Sequence, residues 1–377
     1  MTINYLAIAE RVIRKSNRAQ PADGVLREEL KAQRGLTPKN ASEISEAVFA
    51  YYRWFGWLEA GISVAGGIKQ ALQLAERFRR EPKSFADAEL VARAVPAWVA
   101  AEMDVSAAWA RALQSEPKLW LRARPGKGTE LAKRLRNARS FGPGALVDTL
   151  EYLGQEDLFR TAQFHAGEFE VQDLSSQAVG LVCGAVPGQT WWDACAGEGG
   201  KLLHLSDLMQ NRGLIWASDR AEWRLQRLKR RAARARVFNY RVAGWDGGAK
   251  LPTRTRFDGV LVDAPCSGLG TWHRNPHARW TTTPEDVREL AELQKRLLTH
   301  AKAAVKPEGK IVYAVCTLTR AETDEVVEEF GKACPDFEPA AFDHPLTAGA
   351  GLSPGLRLWP QECGGNGMFI AAWKRRK

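Results

Sequence analysis

What this sequence lacks narrows its class before any motif is read. No stretch approaches the ~18 consecutive apolar residues that a membrane-spanning helix needs, so no membrane segment is expected. The start, Met1-Thr2-Ile3-Asn4-Tyr5-Leu6, has neither the basic region nor the long apolar core of a signal peptide. A cytoplasmic location is therefore expected. The six cysteines (183, 195, 266, 316, 334 and 363) are scattered, with no Cys-x-x-Cys and no Cys/His pair at zinc spacing. The six histidines are scattered too, and no metal site is suggested. Disulfide scaffolds belong mainly to small exported domains, so these thiols should be reduced and open to chemistry. There is no internal repeat and no low-complexity tract.

What is present is ordinary in bulk. A hydrophobic fraction of 45% and a charged fraction of 26% are those of a soluble globular protein. A length of 377 residues allows two or three domains. The net charge of +10 favours a polyanionic partner, and nucleic acid is the commonest one, because neutralising phosphates releases counterions.

Three textures follow one another. Residues 1–82 read as helices: Tyr5, Leu6, Ala9, Val12 and Ile13 recur at helical spacing. Thr37-Pro38 then offers a helix start before Ile44, Val48, Phe49, Tyr52, Phe55 and Leu58. The aromatic cluster from Tyr51 to Trp57 is read as core of a small bundle rather than a base-stacking platform. Residues 83–165 are broken by Pro and Gly into short elements, a small α/β subdomain with a strand over 119–124 and a helix over 129–139. Arg122, Arg124 and Lys127 lie near one of its loops, where phosphates could be held. From 166 to 377 strand-like and helical runs alternate. Such alternation predicts a doubly wound, mostly parallel sheet.

The first turn of that region, Trp191-Trp192-Asp193-Ala194-Cys195-Ala196-Gly197-Glu198-Gly199-Gly200-Lys201, passes from strand through a glycine-rich bend to a helix. Its small residues let a backbone approach a ligand closely. It is no Walker loop, because Leu202 stands where Ser or Thr is required, and it does not spell Gly-x-Gly-x-x-Gly. Asp219 ends the next strand, at the spacing where Rossmann-like sites hold ribose hydroxyls. Asp246 follows the strand after that and could accept from an adenine amino group. One such acid is usually a turn residue; acids after three successive strands favour an adenosine-containing ligand.

Two cysteines end apolar runs. Cys266 lies in Phe257-Asp258-Gly259-Val260-Leu261-Val262-Asp263-Ala264-Pro265-Cys266-Ser267-Gly268, and Cys316 closes Gly309 to Val315. If both runs are neighbouring parallel strands, both thiols reach the same carboxyl edge, where open α/β folds keep their chemistry. A lone cysteine at a strand end is more often a small buried hydrophobe, and Cys183, Cys334 and Cys363 are read so. Cys195 contributes packing and backbone to its loop.

Asp263 to Thr271, with Arg274-Asn275-Pro276 and Trp280, resembles motif IV of the RNA (cytosine-5) methyltransferases of the RsmB/Sun type. Cys316-Thr317-Leu318 with Glu322 resembles their motif VI, Asp193 to Lys201 their motif I, and Phe169 to Gln177 the opening of their catalytic domain. Arg357 to Pro360 with Gly367-Met368-Phe369 resembles its close. The departures are Glu198 for a common proline, Leu202 for threonine, Thr317 for serine, Thr323-Asp324 for Asn-Glu, and Gln361 and Asn366 for His and Asp.

The resemblance implies an α/β, Rossmann-like, S-adenosylmethionine-dependent methyltransferase core with a mostly parallel seven-stranded sheet over 166–377. It implies a NusB-like helical domain over 1–82 and a small RNA-binding α/β subdomain over 83–165. Cys316 is implied to be the nucleophile that adds to carbon 6 of cytosine, Cys266 the thiol that helps remove the carbon 5 proton, and Asp263 the carboxylate at the ring edge. Cys195, Ala196, Gly197, Glu198, Gly199, Gly200, Lys201, Asp219, Asp246 and Asp263 are implied to bind S-adenosylmethionine. The expected partner is RNA, with 16S ribosomal RNA favoured over transfer or 23S RNA, and a monomer is expected. A non-catalytic RNA-binding shell would have no need of two thiols. Basic residues from Arg224 to Arg236 are read as a solvated helix face first and as RNA contacts second, whereas His273, Arg274 and His277 are the better candidates for RNA contact.

Overall fold

The structure, a computed structural model, describes residues 4–33, 35–142 and 144–377. Met1–Ile3, part of the expected non-secretory start, and Pro143, one of the expected loop markers, lie outside the described residues. Contacts group the chain into two units. One, the helical unit, holds Met1–Pro117 together with Gly268–Val287; the other, the α/β unit, holds Lys118–Ser267 and Arg288–Lys377.

In the helical unit, helices Tyr5–Lys15, Ala22–Ala32, Pro38–Arg53 and Val64–Arg80 surround Ile8, Val12, Leu26, Ile44, Val48 and Ile68. Proline starts the third helix because its first turn needs no N–H there, and the Thr37 hydroxyl accepts from the Asn40 N–H at 3.2 Å. The aromatic cluster is core: Trp54 is wholly buried, edge-on to Trp57 at 4.9 Å, and Tyr52 is buried beside it. Phe55 alone stays exposed.

The segment 268–287, which begins two residues after Cys266, is stitched into this unit. Arg279, in helix Pro276–Thr281, is fully buried. It donates to the carbonyls of Ala94 at 2.9 Å, Leu113 at 3.0 Å, Arg53 at 3.3 Å and Trp272 at 3.5 Å. The Trp280 indole N–H donates to the Tyr52 carbonyl at 2.7 Å. Two expectations fail here. His273 and His277 are buried within the unit, not presented to RNA. Their rings fill apolar space: His277 meets Tyr52 edge-on at 4.7 Å, and burial, helped by neighbouring arginines, pushes His273 down to about 3.

The α/β unit has a small antiparallel sheet of order β2-β3-β1-β4, from β1 (Leu119–Ala123), β2 (Ala138–Ser140), β3 (Thr149–Tyr152) and β4 (Phe169–Val171). The helix expected over 129–139 is shorter, Gly128–Leu135. Arg136 takes φ of 60°, which ends it, and the residues beyond become β2.

The large sheet is built from β5 (Thr190–Asp193), β6 (Leu214–Asp219), β7 (Tyr240–Gly244), β8 (Phe257–Asp263), β9 (Val305–Val315) and β10 (Phe337–Pro339). After a two-stranded ladder of β11 (Phe342–Asp343) and β12 (Leu352–Ser353), β13 (Gly355–Leu358) and β14 (Met368–Arg375) complete it. The path β10-β14-β9-β8-β5-β6-β7 has seven strands, and β13 adds an eighth beside β14. Strands β9, β8, β5, β6 and β7 are parallel; β14 runs against β9, and β10 and β13 pair antiparallel with β14. The period of two splits each strand between two cores: Trp191, Leu261, Val312 and Ala314 join one cluster, Trp192, Val260, Val262, Ile311 and Tyr313 the other. This is the Rossmann-like α/β sheet that the alternating pattern predicts. Strand order reverses between β5 and β8, so the loops that leave these two strands turn to opposite faces of the sheet and open a crevice.

Among the described residues no helix is long and apolar enough to cross a membrane, and no group of His, Cys, Asp and Glu could hold a metal ion.

Candidate active site

At that crevice lies a cavity of about 320 Å³, lined by the ends of β5, β6, β8 and β9 and the loops that follow. Cys266 and Cys316 both reach it, with their sulfurs 3.2 Å apart. Register explains the meeting. Strands β8 and β9 pair in parallel with Asp263 opposite Ala314, so two short extensions beyond the same sheet edge bring both thiols to one point.

A carboxylate locks the two extensions together. Glu322, fully buried, accepts from the Ser267 N–H at 2.8 Å, the Gln294 amide at 2.9 Å and the Thr319 hydroxyl at 3.0 Å, and also from the Ser267 hydroxyl. Ser267 in turn meets the Thr317 hydroxyl at 3.0 Å. Gln294 also donates to the Pro265 carbonyl at 2.8 Å. Burial raises the Glu322 pKa, and the hydrogen bonds from Ser267, Gln294 and Thr319 pull against it. The loops of both cysteines therefore share one anchor.

Charge beside the thiols is organised by Lys201. Its ammonium donates to Asp263 at 2.7 Å. Burial alone would lower its pKa, but the Asp263 carboxylate, then Cys316 and Asp193, outweigh that and hold it above the usual range. A firmly cationic lysine makes the site favourable to a thiolate. Asp193, at the end of β5, is wholly buried. Burial first and the Asp263 charge second push it up to about 8. The Leu202 N–H favours its anion somewhat, though neither carboxylate oxygen makes a regular hydrogen bond.

The glycine-rich turn divides its residues. Cys195 and Lys201 line the cavity, as do Asp219, Asp246 and Asp263. Ala196 is buried in the core beneath. The Gly197 N–H donates to Asp219 at 3.0 Å, and the Gly200 carbonyl accepts from Gln172 at 3.3 Å. Gly197 and Gly199 take φ of 54° and 86°, and a Cβ on Gly199 would come within 2.7 Å of Leu228. Glu198 points the other way, pairing with Arg227 at 2.7 Å. Asp219 also accepts from the Ala221 N–H at 2.9 Å and pairs with Arg224 at 3.2 Å.

The arginines of helix Glu222–Arg234 do not spread evenly round it. Arg224, Arg227, Arg231 and Arg234, at intervals of three and four, form one stripe. Each meets an acid: Asp219, Glu198, and for the last two Glu170, at 2.9 and 2.5 Å. Arg231 also donates to the Glu198 carbonyl at 3.1 Å, so β4 braces the glycine-rich turn. Arg122 and Arg124, which the sequence offered to phosphates, instead both pair with Asp207. Arg122 is buried there. Sequence reasoning placed Glu170 and Glu322 within motifs without a role of their own, and counted Asp193 only among the acids that end successive strands. The pairing of Glu322 with Ser267 spans 55 residues and leaves no local pattern.

Comparisons with known proteins agree with this geometry. Residues 182–374 match the family profile described as 16S rRNA methyltransferase RsmB/F. A protein named "Probable ribosomal RNA small subunit methyltransferase B" from Synechocystis sp. is 37% identical over 220 residues, 56% of this chain and 49% of that protein. The chain spans about half the length of the curated relatives it matches. The crystal structure of a protein called PH0851 is similar over the whole of both chains, with a TM-score of 0.82 at 21% identity. A methyltransferase homologue from Pyrococcus horikoshii matches over 71% of this chain and 90% of its own, with a TM-score of 0.58 at 26% identity.

Proposed function

We infer the activity from one premise: the chain belongs to the 16S rRNA methyltransferase RsmB/F family. On that premise it is an S-adenosylmethionine-dependent RNA (cytosine-5) methyltransferase, and its substrate is 16S ribosomal RNA. The observation that carries the reading is the pair of thiols 3.2 Å apart at the rim of a cavity that also holds Lys201, Asp263, Asp219 and Asp246.

The donor set suits an adenosine-containing cofactor. Asp219 and Asp246 end neighbouring strands and face one cavity, offering acceptors for ribose hydroxyls and an amino group. Cys195 and Lys201 form the wall of the glycine-rich turn beside them. When bound, S-adenosylmethionine would supply an electrophilic methyl group.

The protein's task is to make carbon 5 of cytosine nucleophilic. The Cys316 thiolate adds to carbon 6, forming a C–S bond and moving the ring electrons so that carbon 5 becomes an enamine carbon. Asp263, held by Lys201, accepts from the amino group of the ring edge and, when it carries a proton, donates to N3, which draws electrons away from carbon 6. After methylation of carbon 5, Cys266 accepts the proton from that carbon. The C–S bond to Cys316 then breaks, restoring the aromatic ring and the free thiolate. Reaching the thiols requires the base to leave its stack. In the same reading, residues 1–82 are a NusB-like domain, 83–165 a small RNA-binding subdomain and 166–377 the catalytic domain. The protein acts in the cytoplasm as a monomer.

Incubation with radiolabelled methyl donor and ribosomal RNA from a strain lacking the gene, followed by mapping of 5-methylcytosine, tests this. Cys316→Ala should abolish both methyl transfer and covalent trapping of RNA, and Cys266→Ala should accumulate a covalent RNA adduct. An active Cys316→Ala enzyme would overturn the assignment of the nucleophile.

A further inference from the structure

Outside the reaction cavity, a second groove of about 440 Å³ lies between helix Glu222–Arg234 and the segment from Phe159 to Val171. We propose that this groove holds a single-stranded stretch of the substrate RNA flanking the target base. The proposal rests on the reading of the protein as an RNA methyltransferase.

The wall of the groove sets two rings, Phe159 and Phe164, beside four guanidinium groups. Phe159 is 58% exposed, an unusual state for so large an apolar ring. Its edge rests on Phe164, with centroids 4.9 Å apart, so the ring is held in place while its surroundings stay open. The Arg234 guanidinium lies over Phe164 at 3.7 Å. Glu170 holds Arg231 and Arg234 from beneath, and Glu198 holds Arg227. These three are therefore positioned rather than flexible. Arg230, also on the groove, is exposed and makes no ion pair among the described residues. Four arginines against two glutamates leave the lining with two net positive charges.

Aromatic faces interleaved with cations fit single-stranded nucleic acid, whose bases stack and whose phosphates need neutralising. A protein partner of ordinary affinity would want a broader apolar core than two phenylalanine rings provide. Location adds to the case. Arg224 lines the reaction cavity, whereas Arg227 to Arg234 line the groove on the same stripe of the same helix. Ten helical residues span ~15 Å, so along this helix the groove and the cavity are a few nucleotides apart.

The test uses the full chain and a labelled, unstructured single-stranded RNA oligonucleotide, with Phe159→Ala and Arg230→Glu, neither of which touches the reaction cavity. Each should weaken RNA binding about tenfold while leaving the affinity for S-adenosylmethionine and the kcat at saturating RNA unchanged. Arg230→Glu should also flatten the dependence of log K on log salt by about 0.7, the share of one phosphate contact on a single strand. Binding equal to wild type in both variants would overturn the inference. So would a loss seen only with intact small ribosomal subunits and not with free RNA, which would assign the groove to a ribosomal protein. If wild type itself binds no RNA and transfers no methyl group, the premise of an RNA methyltransferase falls first, and the groove's assignment with it.

Discussion

In the helical unit, Arg279 is fully buried and the acceptors it reaches are main-chain carbonyls; in the α/β unit, Glu170 is equally hidden but is ringed by Arg124, Arg231 and Arg234. Carbonyl dipoles satisfy a guanidinium's hydrogen bonds without neutralising its charge. Burial accordingly pushes Arg279 down to about 9, with the Arg53 charge adding to the effect. Glu170 instead meets full opposite charges. Both side chains tie distant pieces of chain together. Arg279 joins the segment after Cys266 to three places in the helical unit, and Glu170 joins β4 to the helix that braces the glycine-rich turn. They differ in what their loss leaves behind: neutral dipoles in one unit, uncompensated charges in the other.

The largest effect should follow from Glu170→Gln. Breaking a buried pair while leaving its partners typically costs about 3–5 kcal/mol. Urea denaturation should show a loss of that size, and Glu170→Asp should recover part of it. Arg279→Met should lose less, about 2–3 kcal/mol, because each orphaned carbonyl costs ~1 kcal/mol and removal of the buried charge offsets some of it. A loss from Arg279→Met equal to that from Glu170→Gln would break the distinction between dipolar and ionic clamps.

The units should also respond differently to mild acid. His273 and His277 have lowered pKa values in the folded helical unit, burial being the first cause for both. As pH falls below ~6.5, the unfolded chain takes up protons that the folded unit refuses, so stability falls. Between pH 7 and 5.5, His273 alone should remove about 1 kcal/mol. In the α/β unit, His204 acts in the same direction. Asp193, with its pKa raised to about 8, acts against it, because the folded state holds a proton that the unfolded state has released. Glu322, also raised, adds to that opposition. Hydrogen exchange at the two pH values should show protection lost in the helical unit and nearly constant in the large sheet. Equal loss in both would contradict this balance. The smallest effect is reserved for Arg227→Ala. Its pair with Glu198 is exposed, and such pairs contribute about 0–1 kcal/mol. A shift of Tm beyond a degree or two would mean that Arg227 does more than hold an exposed acid.

Much of the large sheet was legible in the sequence because its strands are short apolar runs with clear glycine and proline borders. Strands β5, β6 and β8 are such runs, over Thr190–Asp193, Leu214–Asp219 and Phe257–Asp263. The antiparallel additions β10 and β13 were not, since three or four residues on the edge of β14 carry little periodicity. The histidines after Cys266 misled for a related reason. A loop rich in His, Arg and Asn looks exposed when its neighbours in sequence are polar. Its burial comes from helices more than 150 residues away. The arginines of helix Glu222–Arg234 were visible as a charge run, but the acids that hold four of them are distant in sequence or cross a turn.

By itself, the sequence determined the α/β class, the ends of the strands that carry Asp193, Asp219, Asp263 and Cys316, and the place of two cysteines just beyond apolar runs. Those features depend on local pattern: periodicity, turn residues and motif spacing. Only the tertiary structure decided that the sulfurs stand 3.2 Å apart, that Glu322 locks both their loops, and that the segment following Cys266 is clamped inside the helical unit by Arg279. Each depends on side chains whose partners lie tens to hundreds of residues away, and a buried charge or hydrogen bond is satisfied by whatever the fold brings near, not by what lies beside it in the chain.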